Sequence, residues 1–368
     1  MKRKAIFIAA TAQNVGKTTL CLGILAGLKK RFSSVGFIKP VGQRHVVMDE
    51  GIAVDKDVVL FKEYFDLTSS YATMSPVLCP AGFTRDYLDK KIDEKALLQK
   101  IVDSFHTISK DHPYVLVEGT GHVGVGSIFN LNNACVAKNL GLDVVLIGTG
   151  GLGSAIDELA LNIEMCHSYG VKVRGVIINR VLEDKREMIL NYFPKALARW
   201  NIPLLGAIPF LPYLSIPMMK DFEGLLEAPL LSGQTYRFRH FSEIKLIAGS
   251  LDSYLEEIGP NQLIITPACR EDIIAATIER HEESKRKENK DFQGGMILTG
   301  KNPPRNGMIE MIKKADLPIL YAPFGPFDVM KMITTFYAKI QKDDVPKVEK
   351  AIQLVESHID FKKLTSLM

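Results

Sequence analysis

The stretch that decides the fold lies close to the start of the chain: Lys4-Ala5-Ile6-Phe7-Ile8-Ala9-Ala10-Thr11-Ala12-Gln13-Asn14-Val15-Gly16-Lys17-Thr18-Thr19-Leu20. Its apolar first half predicts a buried β-strand, and its end begins a helix. The turn between them closes with Gly16-Lys17-Thr18, the second half of a P-loop. In a P-loop, backbone N–H groups and a helix N-terminus hold phosphates, the lysine contacts the β- and γ-phosphates, and the hydroxyl binds Mg²⁺. We therefore predict these roles for Lys17 and Thr18.

Strand and helix patterns alternate several times after this stretch. Further strands are predicted at 35–41, 114–118, 142–148, 173–181 and 203–209. Such alternation predicts a parallel sheet with helices on both faces. The first part of the chain is therefore predicted to be an α/β P-loop NTPase domain.

A region rich in proline and glycine separates this part from a second one. Pro212, Pro217 and Pro229, with Gly224 and Gly233, predict a helix-poor connection. Strand patterns resume at 261–267, 294–300 and 318–322, which predicts a smaller α/β domain. The predicted boundaries are 1–225 for the P-loop domain, 226–241 for a linker and 242–368 for the second domain.

Acidic residues follow two of the predicted strands. Glu118 ends a strand and precedes Gly119, which is the Walker B arrangement, so we predict that Glu118 binds Mg²⁺ directly or through water. The polar segment 42–57 holds four more acids, any one of which could complete the Mg²⁺ shell. These acids are Asp49, Glu50, Asp55 and Asp57.

Three other polar residues have two interpretations each. Lys39 ends the second strand and either faces the phosphates or is a solvated lysine. Asn179 ends a later strand, where it either reads a base edge or caps a turn, and the residues alone favour the cap. His122 is either a substrate contact or polar surface. The glycine-rich turn 150–154 is weak evidence for a further phosphate contact.

Composition excludes several classes of protein. The net charge of +4 over 368 residues, without a long basic block, gives no indication of nucleic-acid binding. Five cysteines without a Cys-x-x-Cys spacing indicate isolated thiols in a reducing cytoplasm. No stretch is long and apolar enough to cross a membrane. A cytoplasmic protein without a membrane partner is therefore expected.

The first part resembles dethiobiotin synthetase-like P-loop proteins, and especially the N-terminal domain of long phosphate acetyltransferases. The second part resembles the DRTGG domain that follows there. The residues that carry the first resemblance are Thr11 to Thr18, Lys39-Pro40-Val41, Glu118-Gly119-Thr120-Gly121, Asn133 to Gly141, Ile178-Asn179 and Ile208-Pro209. The second rests on Ile265-Thr266-Pro267, Arg270-Glu271-Asp272, Ile297-Leu298-Thr299-Gly300 and Leu317-Pro318-Ile319-Leu320.

The resemblance implies ATP and Mg²⁺ as cofactors and gives roles to single residues. Lys39 matches the lysine that contacts the γ-phosphate and substrate, so Lys17 and Lys39 become the candidate catalytic pair. Asp57 matches the second magnesium acid, with Asp55 as the near alternative, and Asn179 matches the adenine-reading residue. The remaining nucleotide contacts implied are Thr11, Asn14, Val15, Gly16, Thr19 and Pro209.

The chain also departs from this pattern. Thr11 replaces the first glycine of the P-loop, and Ala12 stands where the synthetase has an acid. The loop after Gly121, which holds the diamine substrate in the synthetase, is long and different. It contains His122, Gly124, Gly126 and Asn130. The sequence ends at Met368, so we do not expect the acetyltransferase catalytic domain within these 368 residues.

Three hypotheses follow for the function. The first is ATP-dependent phosphoryl transfer or hydrolysis that activates a carboxylate- or carbamate-like group. The second is a nucleotide-sensing regulatory module without catalysis. The third, a partition-type ATPase, ranks last because Ala12, Gln13 and Asn14 lack the second loop lysine it needs. Expected partners are a nucleotide with either a small-molecule acceptor or a protein. A homo-oligomer is compatible with the resemblance, since synthetase sites lie near a subunit interface.

Overall fold

The computed structural model describes residues 4–48 and 51–367. Asp49 and Glu50, two of the acids considered for the metal, lie outside the described residues. The chain divides into two compact units. The first runs to Leu214 and takes up the segment from Ile340 onward, and the second is Ser215–Lys339.

Among the described residues, the part of the first unit before Leu214 contains ten strands and eight α-helices. The strands are β1 (Lys4–Ala10), β2 (Val35–Ile38), β3 (Val41–Gly42), β4 (His45–Val47), β5 (Ala53–Asp55), β6 (Val77–Leu78), β7 (Tyr114–Glu118), β8 (Val144–Thr149), β9 (Val173–Val181) and β10 (Leu204–Pro209). The helices are α1 (Lys17–Lys29), α2 (Lys56–Phe65), α3 (Tyr71–Met74), α4 (Phe83–Leu88), α5 (Glu94–Asp111), α6 (Asn133–Leu140), α7 (Gly153–Ser168) and α8 (Arg186–Leu197).

A six-stranded sheet forms the centre of the first unit, in the order β10-β9-β8-β1-β7-β2. Each of these pairings is parallel. The predicted α/β class is therefore confirmed. Because parallel strands end at the same edge, the residues that follow β1, β2, β7, β8 and β9 meet at one side of the sheet.

Two helices that follow the second unit complete the first one. They are α14 (Val345–Glu356) and α15 (Phe361–Ser366). Val348, Ala351 and Val355 are buried in the same apolar core as α1. The predicted second domain of 242–368 is thus corrected, because the residues after Ile340 bury their apolar side chains in the first unit. The second unit is an insertion in the first.

Glycines on α1 allow the close approach of this returning segment. A Cβ atom on Gly23 would overlap Val355, and one on Gly27 would overlap the ring of Phe361. Lys30 Nζ forms an ion pair with Glu356 Oε2 at 2.6 Å. The returning segment is therefore packed directly on the helix that begins at the P-loop.

The second unit has a sheet of five strands in the order β11-β15-β14-β13-β12, parallel except for the pair β11–β15. Its strands are β11 (Leu230–Ser232), β12 (Glu243–Leu246), β13 (Gln262–Pro267), β14 (Gly295–Thr299) and β15 (Ile319–Ala322). Its helices are α9 (Met219–Leu226), α10 (Leu251–Glu257), α11 (Glu271–Glu288), α12 (Asn306–Lys314) and α13 (Pro326–Thr334).

The predicted linker of 226–241 belongs to the folded second unit and is corrected. Leu230 and Phe241 are buried in its core, together with Phe222 and Leu226 of α9. The prolines and glycines do mark turns, such as Gly233 with φ 67°, but the apolar residues between them fill a core. Within 4–48 and 51–367, no helix is long and apolar enough to cross a membrane.

The packing of α1 on α14 gives a first prediction. Gly23→Ala is expected to lower the free energy of unfolding of the first unit by about 1–3 kcal/mol, because its methyl group overpacks against Val355. The measurement is urea denaturation followed by the fluorescence of Trp200, the single tryptophan of the chain.

Gly153→Ala is the matched control, because a Cβ on this helical glycine meets nothing within 4 Å. The control should be neutral or stabilising by up to about 1 kcal/mol. Equal effects of the two substitutions would contradict the close packing of α1 on the returning segment.

Candidate functional site

The P-loop connects β1 to α1 at the carboxyl edge of the sheet. Gly16 precedes the helix with φ 91°, and Asn14 also has a left-handed backbone with φ 57°. Asn14 is exposed at the tip of the loop and Val15 is buried. Among the described residues, no side chain caps the first turn of α1, which contains Thr18 and Thr19. This helix end offers backbone N–H groups to an anion.

Lys17 contacts the loop after β7, and Thr18 contacts Glu118, the last residue of that strand. Lys17 Nζ donates a hydrogen bond to the carbonyl oxygen of Gly121 at 2.5 Å. Thr18 Oγ1 donates to Glu118 Oε1 at 3.1 Å. The structure thus brings together three of the residues predicted from separate motifs.

Lys39 lies among three carboxylates. Its ammonium group forms an ion pair with Asp57, lies 3.0 Å from Asp55 Oδ1, and lies 3.8 Å from Glu118 Oε1. Asp55 caps α2 by accepting a hydrogen bond from the backbone N–H of Asp57 at 2.9 Å. All four side chains are buried. Both alternative acids, Asp55 and Asp57, therefore face the same lysine.

Burial and charge act in opposite directions in this cluster. Burial disfavours the ammonium of Lys39, but Asp57, Asp55 and Glu118 outweigh it and hold the pKa of Lys39 above its ordinary value. Burial raises the pKa of Asp55, and the attraction of Lys39 only partly opposes this rise. When all are ionised, one ammonium and three carboxylates leave two negative charges in excess.

These residues fit a magnesium ion in their chemistry. Carboxylate and hydroxyl oxygens are the ligands that Mg²⁺ prefers, and it takes one or two carboxylates with phosphate oxygens and water. Asp55 Oδ2 is buried and has no hydrogen-bond partner among the described residues. Across 4–48 and 51–367, no group of three or more His, Cys, Asp or Glu side chains is arranged so that it could hold a metal ion by itself. The fit is therefore to an ion that also binds phosphate.

Asn179 contacts the P-loop itself. Its Nδ2 donates to the carbonyl oxygen of Val15 at 2.7 Å. A Cβ atom on Gly16 would overlap this amide group, so only glycine fits between Asn179 and the loop. The amide nitrogen of Asn179 therefore holds the loop that precedes α1.

A cavity of about 290 Å³ lies at the ends of β8, β9 and β10. Gly150 and Gly151 line one side, and Arg180, Lys185 and Phe210 line the others. Pro209, predicted as a nucleotide contact, precedes Phe210 at the end of β10. The glycine-rich turn after β8 thus borders a space next to the sheet edge that carries the P-loop.

Two buried asparagines were missed by the sequence analysis. Asn133 accepts from the backbone N–H of Thr120 at 3.0 Å and donates to the carbonyl oxygens of Thr120 and His122 at 2.9 and 2.8 Å. Asn162 donates to the carbonyl oxygen of Thr11 at 3.2 Å. A polar residue on the buried face of a helix was the only signal, and it does not identify the partner.

The loop after Gly121 folds onto the core. Val123, Phe129 and Leu131 are buried, and Phe129 packs edge-on against Phe83 at a ring distance of 5.2 Å. Nδ1 of His122 accepts a hydrogen bond from the backbone N–H of Gly124 at 3.1 Å. The loop that departs from the synthetase pattern therefore places apolar side chains inward.

Comparison with known families agrees with both parts of the chain. The model of an AAA domain, AAA_26, matches residues 4–218, and the model of the DRTGG domain matches residues 224–336. The resemblance inferred from the sequence is thereby confirmed.

Among curated relatives, the phosphate acetyltransferase of Pseudomonas aeruginosa is 28% identical over 381 residues, which cover 97% of this chain and 51% of that protein. The ATP-dependent dethiobiotin synthetase BioD of Nitrosopumilus maritimus is 26% identical over 212 residues, which cover 58% of this chain and 91% of that protein. The chain spans about half the length of the phosphate acetyltransferases it matches. Among solved structures, the MinD cell division protein of Aquifex aeolicus is similar over 57% of this chain and 84% of that chain, with 19% identity and a TM-score of 0.38.

The raised pKa of Asp55 gives a prediction for pH dependence. A carboxyl group with a higher pKa in the folded chain binds more protons there than in the unfolded chain. Its contribution to the free energy of unfolding therefore decreases as the pH rises above about 4. Asp55→Asn removes this contribution and keeps a residue that caps helices well.

The free energy of unfolding of Asp55→Asn, relative to the unsubstituted chain, should therefore increase between about pH 4 and pH 7. Urea denaturation at several pH values, followed by the fluorescence of Trp200, measures it. Asp93→Asn makes the same change at the exposed N-cap of α5. The raised pKa of Asp55 would be contradicted if the difference in free energy of unfolding between Asp55→Asn and the unsubstituted chain did not change with pH. It would also be contradicted if Asp93→Asn showed the same trend.

Proposed function

Because the chain belongs to the AAA domain (AAA_26) family, whose model covers residues 4–218, we propose that its first unit binds ATP with Mg²⁺ and serves as a nucleotide-responsive regulatory module. The observation that carries this proposal is the position of Lys39 among Asp55, Asp57 and Glu118, beside the P-loop. A P-loop domain of this kind binds nucleotide and Mg²⁺ in general.

The two lysines of the site are held by the protein's own oxygen atoms. Lys17 is bound to the carbonyl of Gly121, and Lys39 is bound to carboxylates. A nucleotide polyphosphate competes for both ammonium groups, and Thr18, Glu118 and either Asp57 or Asp55 would hold the Mg²⁺ that accompanies it. The two positive charges of the ion would offset part of the negative charge that the carboxylates and the phosphates bring together. Binding would therefore exchange the contacts of the two ammonium groups with a carbonyl and with carboxylates for contacts with phosphate, and this exchange is the switch we propose.

The cavity beside Gly150 and Gly151 is a candidate site for the nucleoside part of the nucleotide. Its volume of about 290 Å³ is near the lower end for ligand pockets. Phe210 is 40% exposed there and offers an aromatic face to a base. In open α/β sheets, ligands bind outside the carboxyl ends of the strands, where this cavity lies. We propose that the base and ribose occupy it and that the phosphates reach α1.

A regulatory role is favoured over catalysis by the loop after Gly121. Its inward residues, Val123, Phe129 and Leu131, are apolar and packed, so polar contacts to a second substrate would have to come from its exposed residues, such as His122 and Asn130. The chain also matches about half the length of phosphate acetyltransferases. We propose that the partner it responds with is an acetyltransferase domain of that class, in the same or another chain.

ATP-dependent phosphoryl transfer is the second candidate. Lys17, Lys39, Thr18 and Glu118 would supply the charges that stabilise a transferring phosphoryl group. The similarity to a dethiobiotin synthetase over 91% of that protein favours it. Phosphorus NMR of Mg-ATP with the protein distinguishes the two candidates when bicarbonate, amino acids and diamines are added in turn. ATP that is consumed only with one acceptor indicates a transferase or ligase, and ATP that binds and stays intact indicates a regulatory module.

The proposed binding site gives a prediction for Lys17. Lys17→Ala is expected to weaken Mg-ATP binding by at least about tenfold, because it removes a charged hydrogen-bond donor to phosphate. Isothermal titration calorimetry measures the affinity. Lys172→Ala removes an exposed lysine of the same unit and should leave binding unchanged. Unchanged affinity in Lys17→Ala would refute the site.

A separate prediction concerns the metal. Glu118→Gln is expected to raise the Mg²⁺ concentration needed for half-maximal ATP binding by roughly 10- to 100-fold, because an amide oxygen carries no charge. Titration of Mg²⁺ at fixed ATP measures this. Glu187→Gln, at an exposed position of α8, is the control. If both variants need the same Mg²⁺ concentration as the unsubstituted chain, Glu118 does not take part in metal binding.

A further inference from the structure

Helix α7 holds the beginning of the P-loop through two side chains. Thr11 Oγ1 donates to Glu158 Oε2 at 2.9 Å, and Asn162 Nδ2 donates to the carbonyl oxygen of Thr11 at 3.2 Å. The same Nδ2 donates to the carbonyl oxygen of Glu158 at 2.8 Å, which fixes the amide on its own helix. Thr11 is therefore bound at both its hydroxyl and its carbonyl group.

Asn162 also binds the loop that contacts Lys17. Its Oδ1 accepts from the backbone N–H of Val123 at 3.2 Å, and this N–H also points to the carbonyl of Ala10 at 3.1 Å. Val123 follows Gly121, whose carbonyl accepts from Lys17, by two residues. One buried amide group thus joins the start of the P-loop to the segment that holds its lysine.

Because the peptide bond is planar, the contact between Asn162 and the Thr11 carbonyl also sets the direction of the next backbone N–H. The peptide group between Thr11 and Ala12 is planar, and no cis bond occurs among the described residues. In a trans peptide group, the carbonyl and the following N–H point in opposite directions. Fixing the Thr11 carbonyl toward Asn162 therefore fixes the Ala12 N–H away from Asn162. The N–H of Thr11, the first after β1, is bonded to the carbonyl of Ile147 at 2.9 Å, so the N–H of Ala12 is the first one beyond it in the loop that we propose to cradle phosphate.

We propose that Asn162 is a positioning residue for phosphate binding, acting through the Thr11 carbonyl and the Val123 N–H. This inference rests on the proposed binding of Mg-ATP and adds a residue that contacts neither nucleotide nor metal. Asn162 orients the first N–H of the cradle and keeps Gly121 in place as the acceptor that Lys17 leaves on binding. Replacing Asn162 is therefore expected to disorder both the start of the P-loop and the loop that holds Gly121.

The test uses Asn162→Asp in the full chain, with the affinity for Mg-ATP measured by calorimetry. At about pH 8 the aspartate is ionised, so it cannot donate to the Thr11 carbonyl, and affinity is expected to fall about tenfold. Burial beside the carbonyl oxygens of Thr11 and Glu158 is expected to raise the pKa of an aspartate at this position above its ordinary value of about 3.9. At about pH 5.5 a larger fraction of the side chain is therefore protonated, and its O–H can donate to Thr11 while its carbonyl still accepts from Val123. The ratio of the two affinities, variant to unsubstituted chain, should therefore move toward one as the pH falls.

Asn139→Asp is the matched control. Asn139 also lies on a helix of the first unit and donates to the carbonyl four residues before it, at 2.8 Å to Cys135, but it is exposed and contacts no loop of the site. The control should bind Mg-ATP as the unsubstituted chain does at both pH values. Thermal unfolding of each variant is recorded under the same conditions, and Asn162→Ser replaces Asn162→Asp if the latter does not fold.

Three outcomes would overturn the inference. Affinity unchanged in Asn162→Asp or Asn162→Ser would show that the bridge does not position the loop. A loss of affinity in Asn162→Asp that is the same at both pH values, or that Asn139→Asp reproduces, would indicate general damage to the fold. Absence of binding in the unsubstituted chain would contradict the proposed function and this inference with it, and is recognised before any variant is made.

Discussion

The close contact between α1 and α14 is the constraint on which the first unit depends. Gly23 leaves room for Val355 of α14, and Gly27 leaves room for Phe361 of α15, so segments more than 300 residues apart in sequence pack side chain against backbone. The N-terminus of α1 carries Lys17 and Thr18. The packing that fixes the C-terminal half of this helix therefore also fixes the direction in which its N-terminal N–H groups point.

At the other end of α1, the constraint is electrostatic. Three buried carboxylates around one ammonium leave a negative excess in a place where water screens little, and a hydrogen bond from Asp57 ties Asp55 to the start of α2. Such a cluster is stable only with a further cation or with a raised carboxyl pKa, and the rise in the pKa of Asp55 has this direction. Negative charge at this place favours a divalent cation, which P-loop domains bind in general together with nucleotide.

The sequence predicts those parts of the site whose position depends on the succession of strands, turns and helices along the chain. A strand, a turn and a helix in succession place Lys17 and Thr18, and the parallel sheet brings the strand ends of Glu118 and Lys39 to one edge. The return of α14 to α1 has no local signal, because a glycine on an apolar helix does not identify what packs on it. The region around α9 was misread for a related reason. Its prolines and glycines are strong turn signals, but Met218, Phe222 and Leu226 lie four residues apart, so they share one face of a helix and are buried together.

Thr11 illustrates how a departure from a family pattern can keep the geometry by another contact. Glycine at this position would leave the start of the loop free to adopt many conformations, whereas the hydroxyl of Thr11 is bound by Glu158 and its carbonyl by Asn162. The loop is thus held from α7 at its beginning, and α1, which follows it, is held from α14. Both supports come from residues far along the chain, and α14 is the helix through which the chain returns from the second unit. For the regulatory role proposed above, these supports matter because a small shift of either helix would change the position of the backbone groups of the P-loop.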